Sequence, residues 1–426
     1  MKVEKTFSTY LNRYATDDYQ IEEKIPEDTD AIVVLPSFFE EGLLKSLQSL
    51  ADNITNFTVC VFVVINEPES TDDKIAQFHK EQFEQLKSWI KKNESHNLHF
   101  FPGNICKIRN KIAGVGMARK AGMDEAFRQL QNINNLTAPI ICFDADATCQ
   151  NNYLECVISY FKDHPKSPGA SIAFEHPLTD NDLINKGIIL YESHLHYYIA
   201  ALRYAEYPYA YHTVGSSMAC RADAYATIGG MNKRKAGEDF YFLHRVIPMG
   251  NYGQVHNTRI FPEARISDRV PFGTGRAMIE FTNGKEIETY CPEIFYILRP
   301  LFEILNSGNV ISDFHLNHLK DILHPALMEY LRENDLIEKI KTASTGAKNN
   351  HSRFKKYYEV FDGLTVLKIV HHLTDHYYQK VPVESASKFI FQKHYKLKEI
   401  PIEPFEILKT WRVLFYNEEY SMPFDS

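Results

Sequence analysis

The chain has 426 residues, with 55 acidic against 47 basic side chains and a net charge of −8 at neutral pH. That balance argues against a nucleic-acid binder, whose footprint is basic, and means that an anionic ligand needs local positive charge. The length exceeds what one core usually fills, so an α/β domain of about 250 residues with an additional region is expected. The seven cysteines (Cys60, Cys106, Cys142, Cys149, Cys156, Cys220, Cys291) are odd in number and form no C-x-x-C pair, which suits buried free thiols in a reducing compartment. The N-terminus lacks the apolar core of a signal peptide, and no stretch approaches the about 18 apolar residues of a membrane span. A soluble cytoplasmic protein is the expectation.

Residues 1–29 are polar and mixed, with Tyr10, Leu11, Tyr14 and Tyr19 as packing surface, and are expected to form an N-terminal arm laid on the next domain. Ala31-Ile32-Val33-Val34-Leu35-Pro36 is a β-branched run that stops at a proline, the pattern of a first buried strand. Beyond the turn Ser37 to Gly42, Leu43, Leu47 and Leu50 recur at helical spacing. Thr58 to Ile65 reads as a second strand broken by Asn66-Glu67-Pro68, and Ile75, Phe78, Leu86, Trp89 and Ile90 mark a helix. A short strand over Leu98 to Phe101 follows, and Gly114-Val115-Gly116-Met117-Ala118-Arg119 leads into a helix ending near Leu130. Ile140-Ile141-Cys142-Phe143 is another buried strand, ending in Asp144-Ala145-Asp146, with a helix from Tyr153 to Phe161. Such alternation predicts a largely parallel sheet covered on both faces.

Between Leu183 and Glu206, Ile188, Tyr191, Leu195, Tyr198 and Leu202 step by three and four, predicting an amphipathic helix that carries Glu192, His194 and His196 and either packs on that sheet or offers an acceptor-contacting surface. The turn Gly215-Ser216-Ser217, a strand over Met218 to Arg221, the pair Gly229-Gly230 and a helix opening at Gly237-Glu238-Asp239 come next. Arg259 to Arg276, rich in glycine, proline and arginine, reads as a mobile loop with Arg265, Arg269 and Arg276 available to phosphates. Residues 281–426 are expected to be mainly helical, with a leucine series at 316, 319, 323, 327 and 331, an exposed loop from Thr342 to Ser352, and faces that suit oligomerisation.

Two carboxylates one residue apart at a strand end are expensive unless something positive joins them, and ligands of open α/β sheets bind beyond the carboxyl ends of the strands. A divalent cation shared with a phosphate ligand fits, since Mg²⁺ and its relatives favour one or two carboxylates plus substrate oxygens. An aspartate pair is also an ordinary turn former, and Glu238 and Asp239 also suit a helix start, where acids complement the macrodipole. His371, His372, Asp375 and His376 contain an i, i+4 histidine pair without the glutamate of an H-E-x-x-H site, so a solvated or capping cluster is expected. Gly114-x-Gly116 has Arg119 at the third glycine position, which weakens a dinucleotide reading.

In order, Val33-Val34-Leu35-Pro36-Ser37-Phe38-Phe39-Glu40, Gly114-x-Gly116-x-Ala118-Arg119-x-x-Gly122, Phe143-Asp144-Ala145-Asp146, Gly229-Gly230-Met231 and Glu238-Asp239 resemble the successive motifs of family 2 glycosyltransferases with the GT-A fold. The resemblance spans about residues 30–280 and implies a nucleotide-sugar-binding and catalytic domain there, followed by a helical region at 281–426. It implies nucleotide-sugar contacts at Pro36, Glu40, Asn66, Arg119, Asp144, Gly215 and Arg269, and Mn²⁺ or Mg²⁺ held by Asp146 and Asp144, with His256 as a further ligand. Asp239 would be the base and Glu238 its neighbour in the catalytic pair. The turn after the second strand departs from the pattern, with Asn66-Glu67 where aspartates are usual, and Lys120 replaces an asparagine. The activity implied is transfer of a sugar from a nucleotide donor to an acceptor hydroxyl with inversion. Without membrane spans or a Q-x-x-R-W stretch, single transfers are expected rather than polymer synthesis. A sugar nucleotidyltransferase would carry a glycine-rich basic signature after the first strand, where Ser37-Phe38-Phe39-Glu40 stands, and a catalytically silent nucleotide-sugar-binding scaffold is the third reading.

Overall fold

The computed structural model describes residues 2–267, 273–311 and 319–424; Arg269 and Leu316 lie outside them. The chain divides into two compact units, 1–178 with 213–275, and 179–212 with 276–426. The first is built on a nine-stranded mixed sheet flanked by helices. At its centre β1 (Ala31–Ser37) is buried along its whole length. On one side it runs parallel to β2 (Val59–Pro68), which pairs in turn with β3 (Leu98–Phe101) and β4 (Cys106–Ile108). On the other it runs parallel to β5 (Pro139–Cys142), with Val34 level with Cys142. Near-continuous Val and Ile runs are what strands covered on both faces require.

The parallel order expected from the β/α alternation holds on this half and then breaks. β8 (Met218–Arg221) runs antiparallel between β5 and β7 (Gly169–Phe174), β9 (Gly253–Pro262) runs parallel to β7, and β6 (Ala147–Cys149) pairs antiparallel with β9. Two-sided pairing buries β7 although glycine, alanine and serine dilute its apolar pattern.

Helix α4 (Val115–Asn132) lies on β1 and β2, and Gly122 is what allows the approach: a Cβ there would sit 2.5 Å from Val34 Cγ1 and 2.7 Å from Val64 Cγ2. The expected N-terminal arm is partly helix α1 (Lys2–Arg13), whose Phe7 and Tyr10 pack edge-on against Phe127 of α4. Buried Asp124 accepts the hydroxyls of Tyr10 and Tyr225 and the amide of Thr16, while Lys120 supplies the balancing charge at 2.9 Å. Gly230 has φ +68°, and a Cβ on it would overlap the Tyr10 hydroxyl. Gly230→Ala therefore combines backbone strain with overpacking and should lower stability by about 1–3 kcal/mol, read as an earlier urea midpoint.

In the second unit, α6 (Asp182–Tyr204) has C-terminal helices as its main neighbours. Its buried face carries charges that need partners: Arg412 of the helix Pro404–Asn417 meets Glu192 at 2.7 Å, and Arg203 meets Glu418 at 2.7 Å. The loop expected from Thr342 to Ser352 is largely helical. A helix runs through Thr345 and the next begins at Asn350, closed by a reciprocal cap between Asn349 and Ser352. No described helix is long and apolar enough to cross a membrane. The cysteines at 60, 142, 149, 156, 220 and 291 are free thiols.

Candidate functional site at the carboxyl ends of the strands

The parallel register of β1 and β5 brings two turns together: Phe143 N–H donates to the Val34 carbonyl at 3.0 Å, and Ser46 Oγ donates to the Ala145 carbonyl at 2.7 Å. The turn after β1 is held from behind. Phe39 has φ +48°, strained for an aromatic residue, and its N–H donates to Nε2 of fully buried His79 at 3.0 Å. His79 Nδ1 lies 2.9 Å from Glu67 Oε2, so the imidazole carries its proton on Nδ1 and accepts at Nε2. Burial would raise the Glu67 carboxyl, but His79 and Lys107 hold it below the ordinary range. Asn66 and Glu67, expected in a turn, belong to the end of β2, where β4 pairs with them. The buried Ser37 hydroxyl has no hydrogen-bond partner among the described residues.

Arg119 is the hub. It is 2% exposed, donates to Glu238 through one terminal nitrogen and meets Asp144 at 2.6 Å through the other. The aspartate at the end of β5 and the glutamate that opens α8 (Glu238–Val246) are thus joined across 94 residues of sequence. Gly215 makes room for this guanidinium, since a Cβ there would stand 2.8 Å from Arg119 Nη1. Gly116 likewise lets α4 approach the α8 start, where a Cβ would lie 2.9 Å from Glu238 Cβ. Asp239 accepts from its neighbour Phe240 N–H at 2.7 Å. Burial raises its pKa above the ordinary carboxylate value, Arg119 and the Phe240 amide acting against the rise. Glu238 is pushed up to about 7, first by burial, against the pull of Arg119.

Asp146 faces a second arginine. Arg265, beyond β9, grips Glu40 with both terminal nitrogens at 2.9 and 2.5 Å and reaches Asp146 at 2.8 Å. Burial and the Asp144 charge push Asp146 up to about 6 although Arg265 opposes them. His256 is not brought to this point. It lies on β9 before the segment paired with β6, whose register sets Ala147 opposite Pro262, so residues beyond the strand, Glu263 and Arg265, come next to Asp146. Pro36 lies within β1. Arg276 pairs with Glu280 in the second unit. His372 and His376 stack with ring centroids 4.5 Å apart, and His376 Nδ1 meets the His372 carbonyl at 3.1 Å, a capping arrangement.

Among the described residues no three His, Cys, Asp or Glu side chains gather as a closed metal cage. The residues fit a cation shared with a ligand instead. Asp144 and Asp146 keep 34% and 28% of their side chains exposed, and the carboxylates of Glu40, Asp144, Asp146, Glu238 and Asp239 outnumber the guanidiniums of Arg119 and Arg265. A hard cation needs only one or two such carboxylates when phosphate oxygens complete its shell. His79, Glu67 and Lys107 carried no sequence signal, because only the fold brings α3 (Asp73–Asn93), β2 and β4 together.

No family model matches the chain, and no curated protein matches it. The chain is similar to solved structures of TarS. The crystal structure of S. aureus TarS 1-349 has 11% sequence identity and a TM-score of 0.36, with 91% of each chain covered. The same fragment in complex with UDP-GlcNAc has 14% identity and a TM-score of 0.35, again with 91% of each chain covered.

Proposed function

We propose that this chain is a glycosyltransferase that moves a sugar from a nucleotide-sugar donor to an acceptor hydroxyl, with inversion and with Mn²⁺ or Mg²⁺. The observation that carries the reading is the Arg119 bridge, because it makes one site of the Asp144/Asp146 and Glu238/Asp239 pairs at the sheet's carboxyl edge. The unpartnered Ser37 hydroxyl at the end of β1 favours a polar ligand, such as a nucleoside, lying across the strand ends.

In this reading Asp146, with Asp144, holds the cation, which when bound would act as a Lewis acid on the leaving diphosphate. Arg119 is a positioning residue: buried, with both terminal nitrogens on carboxylates, it orients Asp144 toward the donor and keeps Glu238 beside Asp239. Asp239 accepts the acceptor proton as the new bond forms to the sugar carbon and the bond to the diphosphate oxygen breaks. Its raised pKa makes it a stronger base than an exposed aspartate, and the Phe240 N–H fixes its direction.

The test is nucleotide binding by calorimetry. Asp146→Ala should weaken Mn²⁺-dependent binding of a nucleoside diphosphate by more than about a hundredfold, or about 2.8 kcal/mol, and chelation of the metal should do the same to the parent protein. Equal binding by Asp146→Ala would remove the metal assignment.

A further inference from the structure

Arg265 places a positive charge between Glu40 and Asp146, where the proposed reaction requires a divalent cation. It is 27% exposed, and its bonds to Glu40 form a two-pronged fork closed by the third bond to Asp146. Such a fork is the geometry with which arginine also recognises phosphates, so the same guanidinium has two competing anionic partners when a diphosphate is present. Glu263, 3.4 Å from Arg265, adds a further carboxylate to this end of the site. A divalent cation entering alone would have to displace a charge already hydrogen-bonded to two carboxylates, leaving the guanidinium beside it. A cation entering with a diphosphate meets no such opposition, because the diphosphate gives the guanidinium a new anionic partner.

Resting on the glycosyltransferase reading, we infer that Arg265 is a built-in counter-ion that occupies the metal-binding carboxylate in the donor-free protein and exchanges Asp146 and Glu40 for the donor's diphosphate. The exchange conserves charge pairing: Asp146 passes from arginine to metal, and the arginine passes from carboxylates to phosphate. Metal loading is thereby coupled to the donor, and the free protein does not hold the cation firmly.

The experiment is Mn²⁺ binding to the full chain, followed by electron paramagnetic resonance with and without UDP as probe, for the parent, Arg265→Gln and Arg265→Lys. The parent should bind Mn²⁺ weakly alone and at least about tenfold more tightly with UDP. Arg265→Gln should gain about tenfold in affinity for Mn²⁺ alone and lose most of the UDP coupling, with Arg265→Lys between the two. A gain of affinity is not what a merely structural defect produces, and urea midpoints of both variants check that they fold. If the parent couples Mn²⁺ to UDP but Arg265→Gln binds Mn²⁺ alone no better than the parent, the exchange is overturned and the enzymatic reading stands. If the parent binds no Mn²⁺ even with UDP, metal dependence and the exchange fall together.

Discussion

Asp239→Asn should lower the turnover of sugar transfer by about 10²–10⁴-fold while leaving the binding of a nucleoside diphosphate within about twofold, because general-base work contributes on that order and the amide preserves size and shape. The Phe240 amide that aims the carboxylate can still donate to the asparagine oxygen, so the loss would be one of proton acceptance and not of local structure. The acid limb of the parent's rate should follow the raised titration of this carboxylate, the rate increasing with pH as Asp239 ionises. Single-turnover assays with donor in excess would separate this from binding. Unchanged turnover in Asp239→Asn would remove the base assignment and return Asp239 to a helix-start role.

Arg119→Ala should be the most destabilising single change at the site, by about 3–5 kcal/mol, since it strips a buried guanidinium from two carboxylates. The effect carries a pH signature. Glu238 titrates in the folded protein at about 7 against an ordinary value of 4.5, so the folded state binds more protons across that window and the group's contribution to stability falls as pH rises through it. Without Arg119 the folded value climbs further. The loss relative to the parent should therefore be larger at pH 8 than at pH 5, where Glu238 protonates and the missing charge matters less. Urea midpoints at the two pH values would check this, and equal losses at both would mean that Glu238 does not depend on Arg119.

The parts of this architecture legible in the sequence are those encoded locally. β1 and β2 announce themselves because strands buried on both faces read as near-continuous apolar runs, and α4 because the glycine-rich Gly114 to Arg119 stretch leads into it. β7 escapes the same reading, since Gly-Ala-Ser-Ile-Ala-Phe has little hydrophobic contrast and is made a strand by neighbours on both sides. α6 shows its amphipathic period openly, but not which surface covers it. That is decided by Arg412, more than two hundred residues later, finding Glu192.

The same division runs through the site. Asp144-Ala145-Asp146 and Glu238-Asp239 stand out by composition and order, since carboxylates at a strand end and at a helix start are local features. What the sequence by itself determined is therefore the set of acidic residues and the β/α frame that carries them. Only the tertiary structure decided their partners: Arg119 for Asp144 and Glu238, Arg265 for Asp146 and Glu40, and His79 behind the Phe39 turn. The physical reason is that burial obliges each charge or polar group to find a counterpart, but the counterpart is chosen by strand register and helix approach, which join residues that no local spacing relates.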